Sequence, residues 1–251
     1  MQPVSVVIIS KNEASTIAAC LASVAGLADE VVVLDSGSTD STREICSSCG
    51  ARVIETDWPG FGAQKNRAVQ TARNEWVLCL DADERVSPAL AISIRAALSN
   101  PAFSAYRFAR SNRFLGRYLR HGEGYPDWSL RLFDRRTAQW SLDAVHEKVI
   151  SSAPVGELAG DLLHDSAETL EGYLAKQNRY TSLAAEVESA ADSRASGARM
   201  VFSPIVRFLK FYLFRAGFLD GVPGLVHITI GCFNSFIKYA KIREAGKRKN
   251  Q

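Results

Sequence analysis

Over its first hundred residues the chain alternates between two hydrophobic periods, and this alternation limits the fold more than any other feature. "VSVVIIS" (4–10) is a short, nearly unbroken apolar run rich in Val and Ile, the pattern of a strand covered on both faces. "EASTIAACLASVAGL" (13–27) follows, with Ile17, Cys20, Leu21 and Val24 at helical spacing. The pair then repeats. "EVVVLD" (30–35) reads as a strand, and "STDSTREICSSCG" (38–50) as a helix opened by Ser, Thr and Asp and closed by Gly50. Strands at 51–56 and 75–83 and helices at 62–73 and 87–98 continue the series, the last helix opened by Ser87-Pro88. Such a series predicts an α/β fold, a Rossmann-like and mostly parallel sheet flanked by helices.

Ligands on sheets of this kind collect at the carboxyl ends of the strands, and here those ends are polar. The first strand runs out into Ser10, Lys11, Asn12 and Glu13, the second into "DSGSTDST" from Asp35, and the fourth into Asp81-Ala82-Asp83. Two carboxylates at a strand end offer hard oxygen ligands to Mg²⁺ or Mn²⁺. A short D-x-D also arises by chance, and a pair of acids capping the 87–98 helix would look the same. Asp35 reads equally as an acceptor for a nucleotide's N–H or ribose hydroxyl and as the cap of a turn. Neither G-x-G-x-x-G nor G-x-x-x-x-G-K-[ST] occurs, which disfavours classical dinucleotide binding and P-loop chemistry.

After residue 100 the alternation stops, and residues 105–140, rich in Arg and aromatics, read as mixed strands and loops. With 251 residues and 47% hydrophobic content the chain can form one substantial domain plus an appendage. The expected divisions are 1–100, 101–165 and a helical C-terminal region over 166–251. Arg107, Arg110, Arg113, Arg117 and Arg120 recur every three or four residues, the spacing of a solvated helix face or of a groove for acidic groups. The net charge of +3 conceals an asymmetry: residues 1–201 hold 21 Lys/Arg and 25 Asp/Glu, residues 202–251 hold 9 and 2. The basic residues of the tail are interleaved with Phe, Leu, Ile and Tyr, which favours an anionic membrane surface over nucleic acid. Neither 202–221 nor 222–241 supplies about 20 uninterrupted apolar residues. Helices lying in the membrane interface fit better, against a helical pair packed on the body or a dimer contact. Five cysteines, an odd number, and a first segment without a basic leader suggest reduced thiols in a cytoplasmic protein; Cys46 and Cys49 lack a second pair and read as incidental.

"VSVVIISKNE", "VVVLDSGSTDST", "GAQKNRAV" and "WVLCLDADE", in this order and spacing, resemble the nucleotide-sugar-binding half of family 2 glycosyltransferases with the GT-A fold. "FLGRYLRHGEGYPDWSLRLFDR", "VHEKV" and "FRAGFLDGVPGL" are similar to the branch that adds glucose to inner-core heptose of lipopolysaccharide. The resemblance implies a nucleotide pocket lined by Ser10 and Asn12, with Glu13 on the same exit. It implies Asp35 on the uracil or ribose, Lys65 near base or phosphates, and Asp83 as the principal ligand of Mg²⁺ or Mn²⁺. Asp81 would contact ribose or a metal-bound water, and His146 would be a further ligand or orient a phosphate. Arg131, Arg135 or Arg136 would stabilise the leaving diphosphate. Many members carry the catalytic base in an E-D-x-x-L pattern; here the stretch is Pro126-Asp127-Trp128-Ser129-Leu130, so Asp127 is the first choice of base and Glu147 its rival.

The expected activity is therefore an inverting, metal-dependent transfer of glucose from UDP-glucose to a lipopolysaccharide heptose. It would be carried out by a peripheral protein on the inner face of the bacterial inner membrane, acting on a lipid-linked oligosaccharide. Three alternatives stand beside it: a transferase with a polyprenyl-phosphate or other cell-surface polymer as acceptor, a sugar nucleotidyltransferase, and a non-catalytic carbohydrate-binding protein. The second usually needs a Gly-rich basic loop that "SKNEAST" lacks, and the retained Asp81, Asp83, Asp127 and Glu147 speak against the third.

Overall fold

The computed structural model describes residues 1–143, 147–165, 169–190 and 197–248. Its elements run β1 (Val4–Ser10), α1 (Ile17–Val24), β2 (Glu30–Asp35), α2 (Thr42–Ser48), β3 (Arg52–Glu55), α3 (Phe61–Thr71), β4 (Trp76–Asp81), β5 (Glu84–Val86) and α4 (Pro88–Ser99). There follow β6 (Ala105–Phe114), β7 (Arg117–Tyr118), β8 (Asp127–Asp134), β9 (Ala138–Trp140), β10 (Val149–Ser151) and β11 (Val155–His164), then α5 (Leu170–Ala190), α6 (Gly197–Phe208) and α7 (Gly221–Arg248). They form two compact units, 1–111 with 127–165 and 112–126 with 166–251.

In the first unit the strand order is β3-β2-β1-β4-β8-β6-β11-β5. β1, β2, β3 and β4 are parallel, and β8 joins β4 antiparallel. All seven residues of β1 are buried, because helices or other elements cover both faces. Val4, Val6 and Ile8 pack with Ile17, Cys20, Leu21 and Val24 of α1 and with Leu90, Ile94 and Leu98 of α4. Val7 and Ile9 point the other way, into a layer with Ala68 and Val69 of α3 and Trp140 of β9. A strand has a side-chain period of two, so an unbroken apolar run is what a two-faced core requires. Truncating the fully buried Ile8, Ile17, Leu90, Ile94 or Leu98 to Ala costs about 2–5 kcal/mol.

Two differences from the sequence reading have physical causes. The first helix starts at Ile17 rather than near residue 13, because the preceding segment is bound elsewhere. The backbone N–H groups of Asn12, Glu13 and Ala14 donate to Ser38 Oγ, Thr42 Oγ1 and Asp40 Oδ2 across the neighbouring loop. A helix leaves its first N–H groups without internal partners, so these contacts satisfy them and give the loop pair a fixed shape. The arginine series is not a helix face. Arg107 and Arg110 lie on β6, where Arg107 pairs with Glu157 and Arg110 with Asp127, and Arg113 and Arg117 lie in the β6–β7 hairpin. A spacing of three or four suited a helix, but antiparallel pairing of β6 with β8, whose partners include Trp128, Leu130, Leu132 and Phe133, overrides it.

Gly160 shows how β11 reaches its place. Its φ is +97°, and a Cβ there would lie 2.3 Å from the backbone nitrogen of Leu90. Glycine alone lets β11 cross the start of α4 at this distance. The cysteines are all free. Burial, then the nearby Asp35, push the Cys46 thiol up to about 11.

In the second unit α5, α6 and α7 are helical as expected for the C-terminal region. Asp220 is buried there and accepts hydrogen bonds from the backbone N–H groups of Arg120 and His121, with His121 Nδ1 at 3.1 Å.

Candidate active site

Parallel register sets the three strand exits side by side. Ser10 of β1 lies opposite Asp35 of β2, and Ile9 lies opposite Asp81 of β4. Asp35 and Asp81 therefore flank β1 two strand spacings apart, about 10 Å.

On the β2 side, Asp35 is buried. Its Oδ1 accepts from the backbone N–H of Ser38 at 2.7 Å, and its Oδ2 accepts from the hydroxyls of Ser10, at 2.9 Å, and Ser38. The carboxylate thus takes the turn-forming role as the anchor of both loops, using three of roughly four acceptor positions. Asn12 adopts φ +57°, the left-handed region that Asn tolerates better than most residues. This turns its Oδ1 onto the Thr39 backbone N–H at 2.8 Å. Glu13 accepts from the Thr16 hydroxyl at 2.8 Å. Burial raises its pKa, and the charges of Asp83, Asp40 and Asp81 add to that rise against the Thr16 hydrogen bond.

On the β4 side, acids and bases alternate. Lys65 of α3 is buried, with Nζ 3.0 Å from Asp81 Oδ1 and 3.0 Å from Glu147 Oε1. Arg131 of β8 is buried too, with Nη2 2.8 Å from Asp81 Oδ2 and 2.9 Å from Glu84 Oε1. Arg110 continues the series from Glu84, at 3.4 Å, to Asp127, at 2.7 Å. Both candidate bases thus belong to one network: Glu147 one cation from Asp81, Asp127 farther along through Arg110, Glu84 and Arg131. Burial resists the charge on Asp81, but Arg131 and Lys65 hold its carboxyl well below the usual range. Burial likewise opposes the charge on Arg131, and Glu84 and Asp81 more than restore it. The two cations share one aromatic ring, Lys65 at 4.5 Å and Arg131 at 5.1 Å from the centroid of Trp140. Nη1 of Arg131 is buried without a hydrogen-bond partner among the described residues.

Gly62 sets α3 close against the residue that follows β9. A Cβ there would lie 2.0 Å from the carbonyl oxygen of Ser141, so α3 touches the start of the segment that carries Glu147. Arg135 and Arg136 lie outside the network: Arg135 donates to the Val69 and Ala72 carbonyls, and Arg136 pairs with Asp134.

Sequence reasoning missed three residues of this site. Glu84 is fully buried, and besides its arginines it accepts from the Asp81 backbone N–H at 2.9 Å. Trp140 carried no motif. His164 is a lone histidine in sequence, but β11 pairs antiparallel with β5 so that His164 stands opposite Glu84. Its Nε2 lies 3.1 Å from Asp83 Oδ2. Burial disfavours its charge, yet the hydrogen bond and charge of Asp83, with Glu84 behind, raise its pKa. His146 lies outside the described residues.

A divalent cation suits the Asp83–His164 pair. A carboxylate oxygen and an imidazole nitrogen are donors that Mn²⁺ accepts, and Mg²⁺ accepts the oxygen more readily than the nitrogen. Among the described residues no three His, Cys, Asp or Glu side chains converge, so other ligands would come from a diphosphate and water. Asp81 faces the chain's own cations.

Residues 5–153 match the sequence model of glycosyl transferase family 2. The chain belongs to this family. An uncharacterized glycosyltransferase of Rickettsia typhi is 30% identical to it, over 97% of this chain and 88% of the relative. The lipopolysaccharide core biosynthesis glycosyltransferase LpsC of Rhizobium meliloti is 28% identical to this glycosyltransferase, over 96% of the chain and 92% of the relative. Among solved structures, glucosyl-3-phosphoglycerate synthase of Mycobacterium tuberculosis, in complex with Mn²⁺, UDP and glucosyl-3-phosphoglycerate, matches 45% of this chain and 44% of its own at 27% identity and a TM-score of 0.38. A likeness of that size carries no weight for the site, whose geometry stands on the strand register.

Proposed function

We propose that this glycosyltransferase moves a hexose, glucose from UDP-glucose, to a heptose of the lipopolysaccharide inner core with inversion of configuration. The observation that carries the reading is the pairing of two polar strand exits about 10 Å apart, one shaped by Asp35 and the other bearing Asp83 with His164 at 3.1 Å. The lipopolysaccharide acceptor is supported by the similarity to LpsC along nearly the whole chain.

Ser10 and Asn12 would line the uridine pocket, and Asp35 would hold the two loops that shape it. Asp83 and His164 would hold Mg²⁺ or Mn²⁺, which supplies charge neutralisation for the diphosphate. Arg131 would offer its unpartnered Nη1 to the departing phosphate oxygen, with Lys65 beside it. The acceptor hydroxyl oxygen attacks the anomeric carbon, its proton passes to Asp127, and the bond to UDP breaks with the electron pair leaving on the diphosphate. Glu147 is the alternative base, favoured by its place one cation from Asp81. The acceptor is lipid-linked, so the enzyme would work at the inner face of the inner membrane.

Calorimetry with UDP, UDP-glucose, UDP-galactose and GDP-mannose, with and without Mn²⁺, tests the donor half of this reading. Metal-dependent binding of uridine nucleotides is expected. Absence of any nucleotide binding would remove the reading, and transfer from UDP-glucose to a heptose-terminated core would complete it.

A further inference from the structure

The second unit carries an apolar surface that its own helices leave uncovered. α6 continues through a π-helical stretch, Leu209–Phe214, then turns into a 3₁₀ stretch, Gly217–Asp220, and α7. None of α6 or the π-helical stretch is buried. Phe202 is 63% exposed, Val206 62%, Phe214 86% and Val222 70%, with Leu213 and Phe218 also about half exposed. Phe202, Val206, Leu209 and Leu213 recur at helical spacing, so the exposure forms a stripe that leads into the bend. Monomers in water do not leave such a contiguous face open without use for it.

The bend is built rather than loose. Ala216 takes φ +52°, and a Cβ on Gly217 would lie 2.3 Å from Ile228 Cδ1 and 2.7 Å from the Phe211 carbonyl. A Cβ on Gly224 would lie 2.5 Å from the Gly217 carbonyl. Asp220, 1% exposed, ties the turn to the Arg120 and His121 backbone. The apolar outer side of the bend is therefore held in place by close packing on its inner side.

Charge selects the occupant. Residues 197–225 contain Arg199, Arg207, Lys210 and Arg215, and their one acid, Asp220, is the buried tie. Lys210 and Arg215 are exposed. A second copy packed symmetrically on this face would bring like charges together. A single span is not available either. Among the described residues no one helix is long and apolar enough to cross a membrane, and Gly197–Phe214 and Gly217–Ala245 pass that test only together, across a 74° bend.

We propose that the bent helical pair around Gly217 docks on an anionic phospholipid bilayer, setting Phe202, Val206, Leu213, Phe214, Phe218 and Val222 at the headgroup–acyl boundary with Lys210 and Arg215 among the headgroups. An amphipathic surface of this kind enters about 5–10 Å, and long basic side chains reach back to the phosphates. The inference deepens the proposed function by naming the surface that keeps the enzyme at its membrane acceptor, and rests on it for the acceptor alone.

Flotation of the full chain with phosphatidylcholine vesicles, with and without phosphatidylglycerol, is the test, alongside UDP calorimetry on the same preparations. Wild type floats with the anionic vesicles, and added salt weakens it. Phe214→Glu with Val222→Glu, both at exposed positions, lowers the bound fraction roughly ten-fold or more while UDP affinity and the circular-dichroism melt stay unchanged. Failure of wild type to bind anionic vesicles, or unchanged flotation of the double variant, overturns the proposal. So does a concentration-dependent dimer in sedimentation that the double variant abolishes while vesicles have no effect. Vesicle binding without UDP binding would uphold the surface and reject the transferase reading.

Discussion

Nε2 of His164 lies 3.1 Å from Oδ2 of Asp83, although 81 residues separate them. The antiparallel pairing of β11 with β5 creates this contact, and it turns half of a common two-acid motif into a carboxylate–imidazole pair. Asp83→Ala and His164→Ala should each weaken Mn²⁺-dependent UDP binding by at least about ten-fold, since even the outer partners of metal ligands cost 10–100-fold. Metal-free UDP binding should change little. Calorimetry in Mn²⁺ and in EDTA checks this; equal losses in both buffers would show a merely structural effect.

Asp127 and Glu147 are separable by a split in kinetics. Asp127→Asn should lower kcat by about 10²–10⁴-fold, the range of general base catalysis, with donor affinity within about two-fold. Glu147→Gln removes a partner of Lys65 and should act on donor binding more than on kcat. If Glu147→Gln alone abolishes turnover while donor binding persists, the assignment reverses.

Glu84 is the buried counter-charge for two arginines. Glu84→Ala leaves Arg131 uncompensated on that side in a low-dielectric setting and should cost about 3–5 kcal/mol of stability. Urea unfolding measures it, and a change below about 1 kcal/mol would mean that water or Asp81 alone can balance Arg131.

His227 supplies a pH dependence in the second unit. Burial, then Arg207, lower its pKa to about 4, and its ring packs against Phe114 and Tyr173. The unfolded chain binds this proton below about pH 6.5 while the folded chain resists it until about pH 4. Its contribution is therefore complete above pH 6.5 and declines as pH falls toward 4, by at most about 3 kcal/mol. His227→Phe should flatten that part of the pH–stability curve; an unchanged slope would place the titration elsewhere.

Much of the first unit was legible because strand and helix periods are local. β1 and β2 fall where their Val- and Ile-rich runs end, and α4 starts at the Ser87-Pro88 pair, with the Ser87 hydroxyl accepting from Leu90 N–H. Ser10, Asp35, Asp81 and Asp83 were legible as strand exits for the same reason. Of the two readings of the arginines at 107–120, a helix face or a groove for acidic groups, the helix face gives way for Arg107, Arg110, Arg113 and Arg117 to a strand and a hairpin. The entry into α1 was not legible, because the acceptors that bind the N–H groups of Asn12, Glu13 and Ala14 lie 26–29 residues away.

The sequence by itself determined a two-faced parallel sheet, its polar exits and the basic, apolar character of the tail, since each follows from residue type and near-neighbour period. Only the tertiary structure decided that Lys65 meets Glu147, that Arg110 bridges Asp127 to Glu84, and that His164 of β11 meets Asp83. It also decided which side of the bend around Gly217 is packed and which is bare. These are long-range choices set by strand register and close backbone approach, and no local pattern encodes the partner that arrives from across the fold.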